Sequence, residues 1–466
     1  MPHTSKMVTV IFNAARSYQK IDGFGLNINS KHWSDMLIPT MDLLREDLGA
    51  TLYRVDIWGK SDWIDPTGEL GREKALSPEN LAAVYTGAVF QKGWAMMRYL
   101  NQHGIEPYLT ASGDVPKWML GSTYSPKHLD SVPGMPSGMS DISDTFARRG
   151  RQLVDYEAFC DMMVSMIDWA CNKEGLKFNL FGPLNETDIA QPEGPGVDPV
   201  EFVKVCELLA DKLDQKGLQN IRLVVAEQAI FGPWYLQQLV RSRKLHGRIG
   251  VFSLHDYTDI PQEVYQSVTG IVEESPYAHV PLWMTEYGDL EQSGEKEWYV
   301  GWASTSRLFD QLEAGFSGSL IWDAYDNYHD HDEHWSIYGV LRTGLRLYTP
   351  KKRYYTAKQV FRFVPAGFER VAASADSPDL RVLAFADPTH TRFTLVGMNL
   401  SNRDIYLNAV AEGFPEEARC GKVAYYRTSE TENCHTIGQI PMRVSHFGDI
   451  EAHIPPDCIF TLTTVP

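Results

Sequence analysis

Short runs of β-branched and aromatic residues alternate with longer segments of helical periodicity from about residue 20 to residue 364. This alternation is typical of a parallel sheet whose strands are joined by crossover helices. Eight runs predict strands, namely Ile21–Ile28, Thr51–Ile57, Ile105–Ala111, Phe178–Leu184, Ile221–Glu227, Ile249–Tyr257, Val280–Glu286 and Ser317–Asp323. Eight strand and helix units in series predict an α/β fold, the (β/α)8 TIM barrel.

After Val364 the pattern changes to short alternating runs that are broken by turn residues, which predicts an antiparallel β-sandwich. The predicted strands are Phe368–Ala372, Arg381–Ala386, Arg392–Asn399, Ile405–Val410, Val423–Tyr426 and Ile459–Thr464. A further strand-like run near the amino terminus precedes the barrel series and can pair with this sheet. We therefore expect a catalytic barrel over 19–364 and a β-sandwich over 365–466 that is joined by the strand 7–14.

Composition narrows the classes of partner. The chain has 466 residues, of which 60 are acidic and 43 are basic, and a formal net charge of -17. Nucleic-acid binders concentrate Lys and Arg, so we expect no nucleic-acid partner. No apolar run approaches the roughly 20 residues that span a bilayer, so we expect no membrane partner. The 12 Trp, 22 Tyr and 20 Phe offer flat faces on which sugar rings stack, which favours a carbohydrate.

The six cysteines show neither a CxxC pair nor metal-ligand spacing, so reduced structural thiols are expected, although a Cys420–Cys434 disulfide stays open. The first residues lack the basic and then apolar pattern of a secretory signal. We therefore expect a cytoplasmic location, while an exported protein that had lost its leader would have the same sequence. The composition does not determine the oligomeric state.

Two glutamates stand at the ends of predicted strands. Glu186 follows strand four and Glu286 ends strand seven, so both are expected at the rim where the active sites of such barrels lie. Glycoside cleavage needs one neutral carboxyl group to protonate the leaving oxygen and one ionised group to attack the anomeric carbon. A single glutamate at a strand end is usually solvated or ion-paired, but two on strands four and seven favour catalysis.

Other strand ends supply groups that suit this pair. Arg54 could hold Glu286 ionised, and Asn185 could donate a hydrogen bond to a sugar hydroxyl. Tyr257 and His255 could bond to the carboxylates, although a single histidine is as often a structural rim residue. Trp322, which precedes Asp323, could form the floor under the sugar or merely pack. We include Asp323 and Trp118 among the candidate substrate-binding residues. The cluster Trp58, Asp62 and Trp63 could form a further sugar subsite or pack in the core.

Asn185 and Glu186 after strand four, together with Glu286 at the end of strand seven, resemble the signature of clan A glycoside hydrolases. Within the clan the chain is most similar to glycoside hydrolase family 30, through Ile21–Gly25, Val115–Met119, the junction Tyr354–Val371 and the ending Ile454–Leu462. The resemblance covers nearly the whole chain. It implies a TIM barrel with a side β-sandwich and a retaining double displacement on a β-glycoside, without a cofactor. It does not identify the sugar, for which glucose, xylose and galactose types stay open, nor does it distinguish terminal from internal cleavage.

Two alternatives to a glycosidase stay open. The segment Asp326–His334 is rich in groups that bind divalent metals, but its spacing matches neither the His-x3-His nor the EF-hand pattern, so we expect a hydrated or substrate-facing loop and no metal. A metal-dependent hydrolase that uses this loop is one alternative. The other is a carbohydrate-binding protein that has lost turnover. The presence of two facing carboxyl groups argues against the latter, since binding alone does not require them.

Overall fold

The computed structural model describes residues 6–59, 63–126, 150–190, 192–291, 293–329, 334–344, 348–443 and 449–465. Eight parallel strands close into a barrel, and a separate nine-stranded sheet forms the β-sandwich. The predicted TIM barrel with an additional β-sandwich is therefore confirmed. The largest apolar cluster contains the barrel residues together with some sandwich residues, among them Leu383, Phe385 and Val396. The other buried apolar side chains of the sandwich form a second cluster.

Every predicted barrel strand is present, and each follows its predecessor around the barrel. Barrel strands one to eight are Gly23–Asn29, Leu52–Asp56, Tyr108–Thr110, Leu180–Gly182, Arg222–Gln228, Ile249–Asp256, Leu282–Tyr287 and Gly318–Ile321. Their side chains are almost all buried, because the barrel interior covers one face and the surrounding helices cover the other.

Barrel strands three and four are shorter than predicted, for reasons that lie in the backbone. Ile105 belongs to the end of the preceding helix, where its N–H donates to the carbonyl of Leu100 and Gly104 adopts a φ of 74°. Strand four stops at Gly182 because the next residue is Pro183, which has no N–H to continue the ladder.

Helices connect the barrel strands and bury one face against them. The helical segments are Ser30–His32, Asp35–Leu37, Ile38–Asp42, Leu43–Leu48, Gly71–Ala75, Pro78–Tyr85, Ala88–Gln102, Lys117–Met119, Tyr156–Asn172, Pro199–Gln215, Trp234–Leu239, Gln262–Glu273, Glu297–Glu313 and Lys352–Phe361, with Glu416–Arg419 in the sandwich. Some of these helices begin with a side chain that caps the first N–H groups. The Ser77 hydroxyl, for example, accepts a hydrogen bond from the Asn80 N–H just before Pro78.

The sandwich contains all six predicted carboxyl-terminal strands. Its strands are Lys6–Lys20, Glu369–Ala375, Leu380–Ala386, Phe393–Asn399, Ile405–Glu412, Gly421–Thr428, His435–Met442, Ile450–Ile454 and Cys458–Thr463. The amino-terminal strand runs antiparallel to Glu369–Ala375 on one side and parallel to Ile405–Glu412 on the other. The pattern missed two strands, His435–Met442 and Ile450–Ile454, and these are the two edges of the sheet. An edge strand such as His435–Met442 tolerates exposed polar residues and Pro441.

Three short antiparallel pairs decorate the barrel: Leu120–Thr123 with Arg151–Leu153, Asn327–His329 with His334–Ser336, and Leu341–Arg342 with Thr349–Pro350. The first pair flanks a segment after strand three, of which 127–149 lie outside the described residues. Among the helices that the structure describes, none is both long and apolar enough to cross a membrane.

Cys420 and Cys434 do not form the disulfide that the sequence left open. Cys420 and Cys434 are both free. They lie at opposite ends of the hairpin formed by Gly421–Thr428 and His435–Met442, in which Gly421 pairs with Met442 and Arg427 pairs with His435. A disulfide requires Cα atoms within about 7 Å, whereas a strand rises about 3.3 Å per residue, so the length of the hairpin keeps the two thiols apart.

Candidate active site

Glu186 stands in a tight turn after barrel strand four. Its backbone is in the left-handed region, with a φ of 46°, and its N–H donates to the carbonyl of Glu227 over 2.8 Å. Its own carbonyl accepts from the N–H groups of Ile189 and Ala190. Asp188 then accepts from the backbone of the loop that follows strand five, at 2.9 and 2.8 Å. The turn is thus fixed to the neighbouring strand, which sets the position of the Glu186 carboxyl group.

Glu286 is held from both sides at the end of barrel strand seven. The guanidinium of Arg54 forms an ion pair with Oε1 of Glu286. The hydroxyl of Tyr257 donates to Oε2 over 2.5 Å. Both oxygens of Glu286 therefore face donors, and such charge-assisted hydrogen bonds favour the ionised carboxylate.

His255 lies between the two glutamates. Its Nδ1 is 2.7 Å from Oε1 of Glu186 and 3.6 Å from Oε2 of Glu286. One ligand atom from each of the three residues lies within 4.8 Å of the other two. The carboxyl groups of Glu186 and Glu286 therefore lie close together, although their positions differ by 100 in the sequence.

The surroundings shift the pKa values of Glu186 and Glu286 in opposite directions. Burial raises the pKa of Glu186 well above its ordinary value, and the negative charge of Glu286 raises it further. Burial also acts to raise the pKa of Glu286. The pKa of Glu286 is nevertheless lowered, and the positive charge of Arg54 and the hydrogen bonds from Tyr257 and Arg54 act in that direction. Burial lowers the pKa of His255 itself, which favours the neutral imidazole.

Arg54 connects the residues around the pair. Its side chain is fully buried and comes from barrel strand two. Besides Glu286, it donates to Oδ1 of Asn185 over 2.7 Å and to Oδ1 of Asn27 over 3.0 Å. Its Nε also lies 3.4 Å from Oε1 of Glu227. One buried cation thus holds groups from barrel strands one, four, five and seven in a fixed arrangement.

Glu227 is a site residue that the sequence analysis missed. It is fully buried at the end of barrel strand five, where the Tyr108 hydroxyl donates to its Oε1 over 2.6 Å. Its side chain occupies space that Gly182 leaves free, because a Cβ at that glycine would lie 2.3 Å from Oε2 of Glu227. The available signal was an acidic residue at the end of an otherwise apolar run, followed by Gln228. The carboxylate of Glu227 compensates part of the positive charge of Arg54.

The remaining predicted residues have other contacts. Trp322 is partly buried at the end of barrel strand eight and borders a small cavity beneath Tyr287. The indole N–H of Trp118 donates to Asp65 over 3.1 Å. Asp323 is buried and accepts a hydrogen bond from Asn327 over 2.6 Å. None of these contacts engages the two glutamates, so a role in substrate binding for Trp118 and Asp323 stays a prediction.

The two clusters weighed in the sequence are now partly described. In the first, Trp63 is buried and packs edge-on against Phe90, Trp58 is partly buried, and Asp62 lies outside the described residues. In the second, Asp326 forms a buried ion pair with Lys351 at 2.7 Å. Residues 330–333 of that segment lie outside the described residues. Packing is thus the role of Trp63, and Asp326 is bound by a lysine.

Chemically, the site offers a neutral acid and an anion side by side. The raised pKa of Glu186 favours a proton that can be donated, and the lowered pKa of Glu286 favours a carboxylate that can attack a carbon centre. The same atoms of Glu186, His255 and Glu286 are also the one group among the described residues that could hold a metal ion. In the structure, however, both oxygens of Glu286 already bond to Arg54 and Tyr257.

The fold matches solved structures of glycoside hydrolases. A family 30 endoxylanase from Clostridium papyrosolvens C71 superposes with a TM-score of 0.69 at 17% identity, covering 98% of this chain and 99% of that chain. An endo-β1,6-glucanase superposes with a TM-score of 0.66 at 13% identity, covering 99% and 94%. No protein-family model matches the chain. The expected likeness to family 30 is thus confirmed for the fold, in both the barrel and the sandwich.

One of these comparisons corrects the expected location. A conserved exported protein from Bacteroides fragilis has the same fold, with a TM-score of 0.67 at 15% identity, covering 98% of this chain and 100% of that chain. The cytoplasmic location expected from the amino-terminal residues is contradicted by this finding and was wrong. The lack of a secretory pattern in the first residues was a weak basis for it, because a leader is removed from a mature exported protein.

Proposed function

We propose that this chain, whose fold is that of family 30 glycoside hydrolases, is itself a β-glycoside hydrolase. The observation that carries the proposal is the meeting of Glu186 and Glu286, two buried carboxyl groups whose pKa values are driven apart. A pair of carboxyl groups in different protonation states is what glycosidic cleavage requires. The barrel position of the pair, at the carboxyl ends of strands four and seven, supports the same conclusion.

The proposed reaction has two steps. First, Glu186 donates its proton to the glycosidic oxygen while an oxygen of Glu286 attacks the anomeric carbon, so the carbon–oxygen bond to the leaving group breaks and a glycosyl ester forms. Second, the Glu186 carboxylate removes a proton from water, and the resulting hydroxide attacks the same carbon and releases Glu286. Arg54 and Tyr257 stabilise the Glu286 carboxylate before the attack and after its release.

We infer a retaining stereochemistry from the spacing of the pair. Retaining enzymes hold their carboxyl groups about 5–5.5 Å apart, whereas inverting enzymes separate them by about 6.5–9.5 Å to admit water. Oxygen atoms of Glu186 and Glu286 lie within 4.8 Å of each other, which supports the retaining arrangement. The reaction requires no cofactor, since the carboxyl groups provide both proton transfer and nucleophile.

The proposed substrate is a β-linked glycoside or oligosaccharide of the glucose, xylose or galactose type. The endoxylanase and the endo-β1,6-glucanase that share the fold are named for the cleavage of such linkages. We propose Asn185, His255, Tyr257 and Trp322 as the residues that surround the sugar at the cleavage point. Residues 19–364 would form the catalytic domain, and 365–466 with the strand 7–14 would form the sandwich.

A direct test measures hydrolysis of aryl β-glycosides of glucose, xylose and galactose by the wild-type protein and by Glu286→Gln. We expect turnover of at least one substrate, its loss by about 10³-fold or more in Glu286→Gln, and no loss in the exposed control Glu263→Gln. Proton NMR of the first product should show the β-anomer, the sign of retention. Full activity in Glu286→Gln would disprove the mechanism.

A metal-dependent hydrolase is the second candidate, because Glu186, His255 and Glu286 together offer one nitrogen and two oxygens within 4.8 Å. The bonds of Glu286 to Arg54 and Tyr257 oppose it, since a cation would compete with the guanidinium for the same carboxylate. Activity that survives dialysis against EDTA would exclude this candidate. A protein that binds the oligosaccharides but hydrolyses none of them would instead be a sugar-binding protein on the same fold.

A further inference from the structure

A second cavity lies next to the catalytic pair. Its volume is about 610 Å³, which is within the range of about 300–1,000 Å³ that is typical of ligand pockets. It is lined by Tyr257, Asp289, Leu290, Glu291, Lys296 and Tyr299. Tyr257 is shared with the active site, because its hydroxyl donates to Glu286. The cavity therefore lies beside the residue that holds the Glu286 carboxylate.

We propose that this cavity binds a further sugar unit of a neutral β-linked oligosaccharide, with Tyr299 as its stacking platform. The inference rests on the proposed function and specifies the substrate as an oligosaccharide. Tyr299, in the first turn of the helix Glu297–Glu313, keeps 55% of its surface exposed, and Leu290 keeps 47%. An aromatic ring and an aliphatic side chain left open inside a concave cavity are a suitable surface for the apolar face of a sugar ring.

The cavity lining also contains polar groups for which the described residues supply no hydrogen-bond or ion-pair partner. Among the described residues, Oε2 of Glu291 has no hydrogen-bond partner in the protein, while Oε1 of the same residue accepts from the Ser293 N–H over 2.9 Å. Within the described parts of the chain, no hydrogen bond or ion pair engages the ammonium group of Lys296. Sugar hydroxyls can donate to Glu291 and accept from Lys296 in the same bound state.

The charges of the lining favour a neutral sugar over an anionic one. Asp289 is neutralised by Arg307, whose Nη1 lies 3.2 Å from Oδ2 of Asp289. Glu291 and Lys296 carry opposite charges and face the same cavity. The lining therefore has no surplus of positive charge with which to compensate a carboxylate on the substrate.

The experiment compares Tyr299→Ala with wild type on an aryl β-monoglycoside and on xylo-, cello- and gentio-oligosaccharides of two to six units. We expect the ratio of kcat/KM on the longer oligosaccharides to that on the aryl glycoside to fall by about 3- to 12-fold, mainly through KM. Tyr299→Phe keeps the ring and should retain the wild-type ratio. The matched control is Tyr406→Ala, which removes a tyrosine of 47% exposure from the sandwich and should leave the ratio unchanged.

Binding measurements separate this inference from the proposed function. Calorimetric titration of Glu286→Gln, with and without Tyr299→Ala, with the same oligosaccharides requires no turnover, and Kd should rise by about 3- to 12-fold with the second substitution. If wild type hydrolyses nothing but this rise is seen, the proposed function fails and the subsite stands. An equal loss on the aryl glycoside and the oligosaccharides, an unchanged Kd, or tighter binding of a uronic-acid-branched oligosaccharide than of its neutral parent would overturn the inference.

Discussion

Nδ1 of His255 lies 2.7 Å from Oε1 of Glu186, within hydrogen-bond distance. Burial raises the pKa of Glu186 and lowers that of His255, which favours the neutral form of both groups. We expect the tautomer in which Nδ1 is unprotonated, so that the Glu186 hydroxyl donates to it. This bond stabilises the protonated acid that the first reaction step consumes.

Replacing His255 by Phe removes the acceptor for the Glu186 proton. The protonated form of Glu186 loses a hydrogen bond, so its pKa should fall and the basic limb of the kcat/KM profile should move to lower pH. We expect kcat/KM near neutral pH to fall by about 10-fold or more. A pH profile of wild type and His255→Phe measures both effects. The exposed His246→Phe is the matched control, and a basic limb at the wild-type position in His255→Phe would contradict the assignment.

Tyr257→Phe should affect the acidic limb of the pH profile of kcat/KM. The phenol donates to Oε2 of Glu286 and thereby favours the ionised nucleophile, so its loss should raise the pKa of Glu286 and move the acidic limb to higher pH. A fall of about 10- to 100-fold in kcat/KM is expected, the size typical of one lost charge-assisted hydrogen bond. The control is Tyr18→Phe on the amino-terminal strand, where the ring is 41% exposed. A shift of the basic limb alone would show that Tyr257 acts on Glu186 instead.

Glu227→Gln tests the role of the buried carboxylate that pairs with Arg54. The substitution keeps the shape of the side chain and an acceptor for Tyr108, but it leaves the buried guanidinium with one carboxylate fewer. Removing one partner from a buried ion network costs about 3–5 kcal/mol, and an amide that still accepts a hydrogen bond should reduce that cost to about 1–3 kcal/mol. We expect this loss in urea unfolding together with a lower kcat. Glu451→Gln, at an exposed position of the sandwich, should change neither.

Strand order was enough to predict the meeting of Glu186 and Glu286, because the carboxyl ends of parallel barrel strands share one rim. Arg54 followed from the same argument, since a cation inside an apolar strand needs a buried partner. Glu227 could not be found in this way. Its side chain reaches Arg54 through a left-handed backbone, with a φ of 54°, and through the space at Gly182, and both are tertiary features.

One of the two edge strands of the sandwich, His435–Met442, escaped prediction for a related reason. Hydrophobic alternation identifies strands that bury one face against a core. His435–Met442 exposes most of its side chains, so its sequence carries little alternation and its existence depends on pairing with Gly421–Thr428. In the barrel, the sequence places Asp323 at a strand end but does not reveal that its side chain is buried and accepts a hydrogen bond from Asn327.

Asp323 also predicts how stability depends on pH. Burial raises its pKa to about 8, whereas an aspartate in the unfolded chain titrates near 3.9. Between about pH 4 and pH 8 the folded protein therefore binds one proton more than the unfolded chain at this residue. The stabilising contribution is complete below about pH 4 and is lost as the pH rises through 8. This one group lowers the free energy of unfolding by at most about 1.4 kcal/mol per pH unit within that window.

Asp323→Asn removes the titration while it preserves the size of the side chain and an oxygen that can accept from Asn327. We expect the variant to lose less stability than wild type between pH 5 and pH 8, so that the difference in their free energies of unfolding changes by more than about 1 kcal/mol in favour of the variant. Urea unfolding at both pH values measures it. Asp35→Asn, at an exposed position, should follow wild type. Parallel curves for wild type and Asp323→Asn would mean that Asp323 is already ionised in the folded protein at pH 5, because only a carboxyl group that keeps its proton on folding can produce the difference.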